Sequence, residues 1–207
     1  MIEHLFFKIR ELKLQKKGCA PMNHQDKWNK KHEDRLNDLK ELQPNARLKN
    51  LSLYMKGGKA LDIACGLGRN SIFLAQSGYV VLAVDFSEVA TDFIQKEASE
   101  KSLEITTLIA DLTNFESLPL EKHSCDFVNM TYYLDRSLFP FIKKLIKPNG
   151  YFFMETYYLT PNAQKVSDQY KLQSNELLAE FRDWKILFFE ENEQEGRQTI
   201  FCQKQAE

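Results

Sequence analysis

Long apolar runs, paired cysteines and an excess of charge of either sign are all missing from this chain of 207 residues. No stretch approaches the ~20 apolar residues that a membrane-spanning helix requires, so we expect no integral membrane association. The formal net charge of −1 gives no global electrostatic attraction to nucleic acid. The length predicts one domain with a sizeable core.

The cysteines also limit the chemistry. The spacing of the four cysteines is not that of metal-binding pairs, and the four histidines are scattered, so the sequence carries no zinc signature. We therefore expect no bound metal, reduced thiols and a cytoplasmic location. The cysteines are Cys19, Cys65, Cys125 and Cys202.

The most informative stretch is KALDIACGLGRN, residues 59–70. Lys59–Ala64 is an apolar run that glycines bound on both sides, which is typical of a buried parallel strand. Residues 71–75 continue at helical spacing, and Tyr79–Val84 is a second β-branched run that ends on Asp85. Strand, glycine turn, helix and strand form a βαβ unit, whose ligands bind beyond the carboxyl ends of the strands.

Each residue type at this turn has its own physical reason. Gly66 and Gly68 lack a Cβ, so the backbone can turn tightly and a ligand can approach it. Asp85 can accept two hydrogen bonds from a ribose diol. A dinucleotide fold shares this logic, but Ser71 replaces its third glycine, and a P-loop would need Lys-Ser/Thr where Arg69-Asn70 follows Gly68. The pattern favours a nucleoside-containing cofactor, and its plain alternative is a sharp strand-to-helix turn.

The segment ALDIACGLGRNSIFLAQSGYVVLAVDFS resembles the first two cofactor motifs of class I S-adenosylmethionine-dependent methyltransferases, with Ala64 at the first glycine position. Its Cys-Gly-x-Gly-Arg-Asn form is similar to a small bacterial branch that includes tellurite- and thiopurine-type enzymes. The resemblance implies a Rossmann-like α/β fold, a three-layer sandwich around a mostly parallel seven-stranded sheet, with S-adenosylmethionine as cofactor. The cofactor-binding residues that it implies are Trp28, Asp62, Ala64, Cys65, Gly66, Gly68, Arg69, Asn70, Asp85, Phe86, Ser87, Asp111, Leu112 and Asn129.

The resemblance also implies separate roles for some of these residues. Asp62 and the backbone of residues 64–68 would hold the methionine part of the cofactor. Asp85 would bind the ribose, and Phe86 would cover one face of the adenine. Asp111 would lie where the family hydrogen-bonds the adenine amine.

The rest of the chain predicts further strands at Glu104–Ala110, Ser124–Thr131 and Tyr151–Tyr157, with a helix at Phe139–Ile146. Two strand-like runs, WKILFFEENE and GRQTIFCQK, then end the chain. They predict a C-terminal antiparallel hairpin on an otherwise parallel sheet. A dehydrogenase would not be expected to end in this way.

The methyl acceptor should lie after the fourth and fifth strands. Arg136 can hold an anionic acceptor with its planar guanidinium, and Glu155 can orient or deprotonate one. Each has a structural alternative, because Arg136 can instead pair with Asp135 and the tyrosines can belong to the core. The catalytic candidates are Asn129, Tyr132, Arg136 and Glu155, and the other residues expected to line the pocket are Tyr133, Asp135, Tyr157 and Tyr158.

The sequence Asn129-Met130-Thr131-Tyr132 occupies the position where amino-group methyltransferases carry Asn-Pro-Pro-Tyr. Both prolines are missing, so the rigid turn of that motif is not assured. Without a basic face or a recognition domain, a DNA substrate is not expected. We expect a small-molecule acceptor; the alternatives are protein or RNA methylation, or a non-catalytic S-adenosylmethionine-binding protein that docks a partner.

The N-terminal region divides into two parts. Residues 1–21 read as a basic amphipathic extension before a methyltransferase domain at residues 22–207, and Met22 is an alternative start of translation. A charged helix is predicted at residues 24–41 and a second helix at residues 45–55. In the family the first of these segments closes over the cofactor, which implies a lid role for Trp28. The same resemblance makes His32 a second candidate for the lid, and its alternative, which we expect, is a solvated side chain.

Overall fold

A computed structural model describes residues 24–38, 42–118, 120–161 and 166–206. The predicted extension at residues 1–21, with Cys19, and the alternative start at Met22 lie outside these residues. The strands are β1 Gly58–Ile63, β2 Tyr79–Asp85, β3 Ile105–Ile109, β4 Cys125–Thr131, β5 Ile146–Tyr157, β6 Lys185–Asn192 and β7 Arg197–Gln203. The α-helices are α1 His24–Asn37, α2 Ala46–Asn50, α3 Arg69–Gln76, α4 Glu88–Glu100, α5 Phe139–Leu145 and α6 Glu176–Glu180.

The seven strands form one sheet in the order β3-β2-β1-β4-β5-β7-β6. The first five strands pair in parallel, and β7 is antiparallel to both β5 and β6. This arrangement confirms the predicted mostly parallel sheet with a C-terminal antiparallel hairpin. Strand β1 has β2 on one side and β4 on the other, so the strand order reverses there, and ligands of open α/β sheets bind at such a point.

Each face of the sheet carries its own core, because successive side chains of a strand point to opposite faces. Leu61 and Ile63 pack on the face that α5 and α6 cover, together with Phe139, Ile142 and Phe181. Ala60 belongs to the opposite core, which α3 and α4 cover with Ile72, Leu74 and Ile94. The result is the predicted three-layer sandwich. None of the helices in the described part of the chain is long and apolar enough to cross a membrane.

Two predicted helices are shorter than expected. The helix predicted at residues 24–41 ends at Asn37, since Asn and Asp in that turn are poor helix formers. The helix predicted at residues 45–55 is α2 followed by a separate 3₁₀ turn, Ser52–Tyr54. The Leu51 amide bonds the carbonyls of both Arg47 and Leu48, which is the tightening typical of a helix end.

Strand β5 begins earlier than predicted, at Ile146 instead of Tyr151. Cys125 of β4 pairs with Ile146, yet Phe127 pairs with Tyr151. The four extra residues of β5, 147–150, are therefore a bulge in its pairing with β4. Such a bulge lets a strand keep its pairing on both sides of an irregularity.

Gly68 has a different reason to be glycine from the one predicted. It has a left-handed backbone, φ +71°, directly before α3. A Cβ at this position would lie 2.5 Å from Cγ1 of Ile94. Its missing side chain therefore lets the turn pack against α4.

We expect Gly68→Ala to lower the free energy of unfolding by roughly 2–4 kcal/mol, from left-handed strain and from overpacking against Ile94. The control is Gly78→Ala. Gly78 also has a positive φ, +88°, but an added Cβ would come no closer than 3.9 Å to another atom, so this substitution adds backbone strain without a steric clash. It should lose roughly 1–2 kcal/mol. Urea unfolding measures both, and equal losses would contradict close packing at Gly68.

Candidate functional site

The predicted cofactor loop lies at the carboxyl end of β1, where the strand order reverses. Within it Ala64, Gly66 and Gly68 all have left-handed backbones, with φ of 55°, 53° and 71°. The Cys65 amide donates to the Val84 carbonyl of the next strand at 3.1 Å. These residues, 64–68, are called the glycine loop below. Ala64, at the first glycine position, thus has the same left-handed backbone as the two glycines. Because it is not glycine, its positive φ adds backbone strain.

Asp85 connects the glycine loop to the end of β2. Its Oδ2 accepts a hydrogen bond from the Gly66 amide at 2.8 Å, and its Oδ1 accepts one from the Ser87 amide at 2.9 Å. The Ala110 amide donates to the Asp85 carbonyl at 3.0 Å, which places the end of β3 alongside. Asp85 is 8% exposed, so a fixed carboxylate sits at the edge of the sheet.

The predicted adenine residues follow β3. Asp111 accepts hydrogen bonds from the amide and the hydroxyl of Thr113, so it caps the 3₁₀ turn that follows. Leu112 is buried in the core that contains Val84. Asp111 is exposed, whereas Leu112 is buried.

Asp62 is held inside the protein. Its Oδ2 accepts from the Ser71 hydroxyl at 2.5 Å, and its Oδ1 accepts from Nδ2 of Asn129 at 2.6 Å. Asp62 is 1% exposed, and burial raises its pKa to about 6. Its carboxylate therefore joins β1 to α3 and β4. The remaining polar atom of this cluster, Oδ1 of Asn129, is buried with no partner in the described part of the chain.

Helix α1 covers the glycine loop. Nε2 of Gln25 donates to the Phe86 carbonyl at 2.9 Å, and the Ser87 hydroxyl donates to Oδ1 of Asn29 at 2.7 Å. The rings of Trp28 and His32 stack with their centroids 6.0 Å apart. Helix α1, which carries Trp28, is thus held on the segment after β2 by Gln25 and Asn29.

The expectation that His32 is solvated is wrong. His32 is 2% exposed, and its Cε1 lies 3.4 Å from the position that a Cβ on Gly66 would take. Burial lowers the pKa of the imidazole, and the charge of Asp85 opposes this effect while Arg35 and Lys31 add to it. Spacing on a charged helix did not reveal this, because the partner of His32 comes from a loop distant in sequence.

The other residues predicted at the loop differ in their surroundings. Arg69 is exposed at the first position of α3. Asn70 accepts from the Asn45 amide at 2.9 Å and donates to the Thr131 hydroxyl at 2.9 Å, so it ties α3 to α2 and β4. Burial raises the pKa of the Cys65 thiol well above its usual range, which keeps the thiol protonated.

Glu155 lies at the predicted acceptor edge and is fully hydrogen-bonded. Its Oε1 accepts from Nδ2 of Asn45 at 2.7 Å and from the Tyr132 hydroxyl at 2.6 Å. Its Oε2 accepts from Arg47 at 3.2 Å and from the Thr199 hydroxyl at 3.0 Å. Glu155 is 1% exposed, so these donors replace the water that a buried carboxylate would otherwise need.

Arg47 extends this network to the β6–β7 hairpin, where it also pairs with Glu190 and Glu195. The sequence prediction missed Arg47 and its neighbour Asn45. The available signal was the helix start at Asn45, whose side chain caps α2 by accepting from two backbone amides. That signal predicts a helix, but it does not identify Glu155 as a partner from 110 positions further along the chain.

The structure brings some acceptor candidates together and separates others. Tyr132 is 54% exposed, and the guanidinium of Arg197 lies 3.7 Å from the Tyr157 ring centroid and 5.1 Å from that of Tyr132. Arg136 is engaged elsewhere, in a two-pronged pair with Glu176 at 2.6 and 2.8 Å. This pair replaces the expected Asp135 partner.

Two further tyrosines and Asp135 complete the predicted set. Burial, followed by the charges of Asp135, Asp111 and Asp85, raises the pKa of Tyr133 to about 12. Tyr158 is 6% exposed and belongs to the core. Asp135 caps the 3₁₀ turn that contains Arg136, because it accepts from the Ser137 amide at 2.9 Å.

The raised pKa of Asp62 predicts a pH-dependent stability. Because the folded state holds this proton more tightly than the unfolded state, stability is lost as the pH rises from about 4 to about 6, by up to about 3 kcal/mol. Asp62→Asn has no proton to lose here. The free energy of unfolding of wild type minus that of Asp62→Asn should therefore fall over this range and stay constant above it; a flat difference would contradict the assignment.

Removing the charge of Glu155 should be costly because the carboxylate is buried. Glu155→Gln turns one acceptor oxygen into a donor that faces other donors, and we expect a loss of about 2–4 kcal/mol in urea unfolding. Glu195→Gln, the same change on the same guanidinium, is the control. Its carboxylate is 54% exposed, so it should lose less than about 1 kcal/mol. Similar losses for both variants would show that the Glu155 network does not stabilise the fold.

Comparison with known proteins places this site in a family. The family model "Tellurite resistance protein TehB" matches residues 29–201. The probable S-adenosyl-L-methionine-dependent methyltransferase TehB of Haemophilus influenzae strain Rd is 29% identical over 151 residues, 68% of this chain and 51% of that protein. A ubiquinone biosynthesis O-methyltransferase of Coxiella burnetii strain Dugway is 32% identical over 139 residues, 64% of this chain and 57% of that protein.

Comparison with solved structures shows the same fold in a known protein. The crystal structure of TehB from Haemophilus influenzae has a TM-score of 0.70 at 22% identity, over 84% of this chain and 67% of that one. The chain spans about half the length of the curated relatives it matches. Because the family match covers most of its residues, the chain belongs to the TehB family of tellurite resistance proteins, which confirms the resemblance to tellurite-type class I methyltransferases.

Proposed function

We propose that this protein is an S-adenosylmethionine-dependent methyltransferase that methylates a small-molecule acceptor in the cytoplasm. The observation that carries the proposal is the Asp85 carboxylate, fixed at the end of β2 by the amides of Gly66 and Ser87. Two relatives are named as methyltransferases, one of them an O-methyltransferase of ubiquinone biosynthesis. The three cysteines among the described residues are free, as is usual in a reducing compartment.

The residues at this edge fit the proposed cofactor. A carboxylate oxygen has about two acceptor positions, and each oxygen of Asp85 uses one of them on a backbone amide. Both can therefore accept a ribose hydroxyl as well. Leu112, which shares a core with Val84, is the apolar residue that we assign to the adenine, and the left-handed backbone of Gly66 holds the glycine loop beside Asp85.

S-adenosylmethionine supplies a methyl group on a sulfonium, which is already activated for in-line displacement. The chain's own contribution is to align the acceptor and to keep water out, and α1 covers the glycine loop in a way that serves this purpose. Glu155 is saturated by four donors. We therefore favour an acceptor that arrives deprotonated, such as a thiolate or a chalcogen oxyanion, because it needs no strong general base.

The direct test uses purified protein with methyl-labelled S-adenosylmethionine and a cell extract. We expect label in small molecules, together with release of S-adenosylhomocysteine. A defined panel should include tellurite, selenite, small thiols and hydroxybenzoates. Label confined to protein or RNA would contradict a small acceptor, and cofactor binding without any transfer would indicate a non-catalytic binding protein.

Asp85→Ala should weaken S-adenosylhomocysteine binding by about 1–3 kcal/mol, since the ribose hydroxyls would be left unpaired in a buried site. Calorimetry gives the dissociation constant without requiring an acceptor. The control is Asp92→Ala, which removes the same charge from an exposed position on α4. An unchanged dissociation constant for Asp85→Ala would refute the ribose assignment.

A further inference from the structure

His32 is a buried polar side chain whose Nδ1 has no hydrogen-bond partner among the described residues. A buried nitrogen without a partner costs free energy, so it usually marks a site where a ligand or water completes the bonding. The imidazole lies over Gly66, on the side where that residue has no Cβ. It is packed from behind by the ring of Trp28. The unpaired nitrogen is thus buried in a ring that packs against the glycine loop.

The strand order shows which part of the cofactor reaches this point. With the ribose at Asp85 on β2 and the adenine toward Asp111 after β3, the rest of the molecule must extend across β1 toward β4. The glycine loop follows β1, and His32 lies over it. His32 therefore lies on the path of the amino-acid part.

The charges around the loop favour a cationic group. Asp62 and Asp85 both lie close enough to raise the pKa of the Cys65 thiol, and the charge of Asp85 also raises the pKa of Asp62. Burial lowers the pKa of His32, so its ring is neutral near pH 7 and has one nitrogen that can accept. Among the charged side chains that act on His32, Asp85 has the largest effect, ahead of the cationic Arg35 and Lys31. A neutral acceptor next to this carboxylate suits an ammonium group better than a carboxylate.

We infer that Nδ1 of His32 accepts a hydrogen bond from the ammonium group of the cofactor's amino-acid part. This inference rests on the proposed function, because it requires S-adenosylmethionine at the glycine loop. With this contact α1 becomes part of the binding site, because His32 on the helix binds the amino-acid part of the cofactor while Asp85 binds the ribose.

The test compares ligands that differ in the amino-acid part. S-adenosylhomocysteine has it, whereas 5′-methylthioadenosine keeps the adenosine and the sulfur and lacks it. His32→Phe preserves the ring that stacks on Trp28 but has no polar atom. We expect it to raise the dissociation constant of S-adenosylhomocysteine about tenfold and to leave that of 5′-methylthioadenosine within twofold, both by calorimetry.

His32→Asn is the conservative variant, because the asparagine amide occupies about the position of Nδ1. It should bind both ligands within threefold of wild type. Decarboxylated S-adenosylmethionine keeps the ammonium and lacks the carboxylate, so His32→Phe should weaken it about tenfold as well. If His32→Phe binds decarboxylated S-adenosylmethionine as tightly as the wild type does, His32 contacts the carboxylate instead of the ammonium, and the assignment is overturned.

Two other results would also overturn the inference. Equal weakening of both adenosine ligands by His32→Phe would mean that His32 only packs α1 onto the loop. Unchanged binding of S-adenosylhomocysteine would mean that Nδ1 makes no contact with it. If the wild-type protein binds none of these ligands, the proposed function itself fails, and that outcome is distinct from the other two.

Discussion

The hydrogen bonds from two backbone amides to one carboxylate, that of Asp85, hold the functional edge of this sheet in a single shape. The Gly66 amide comes from the loop after β1, and the Ser87 amide comes from the turn after β2. Both segments are therefore fixed relative to each other before any ligand arrives. Helix α1 is hydrogen-bonded to the turn after β2 through Gln25 and Asn29. The position of α1 over the glycine loop therefore also depends on the hydrogen bonds of Asp85.

Three buried acidic groups, Asp62, Asp85 and Glu155, stand at the ends of three different strands, and their surroundings separate their roles. Asp62 and Glu155 are 1% exposed and accept hydrogen bonds from several segments of the chain. Asp85 is 8% exposed and has acceptor capacity left. Burying a carboxylate is favourable only when donors replace its water, so Asp62 and Glu155 organise the framework, and Asp85 is the carboxylate that we propose for the ligand.

Sequence patterns predicted the parts of the site that depend on neighbours in the chain. The apolar runs before Gly66 and before Asp85 predicted two parallel strands whose ends meet, and the structure pairs them. Contacts between distant segments escaped prediction: the pairing of Glu155 with Asn45, and the burial of His32 over the glycine loop. A helical spacing shows which residues share a face, but it does not show what covers that face.

By itself the sequence determined the order of strands and helices, the glycine turn and the carboxylate that ends β2, because local backbone preference and hydrophobic periodicity are properties of short segments. Only the tertiary structure decided what the polar side chains do. In it Gly68 packs against Ile94, Arg136 pairs with Glu176, and one nitrogen of His32 has no partner in the part of the chain that the structure describes. Burial and hydrogen-bond partners set those roles, and both come from segments that meet only when the sheet has formed.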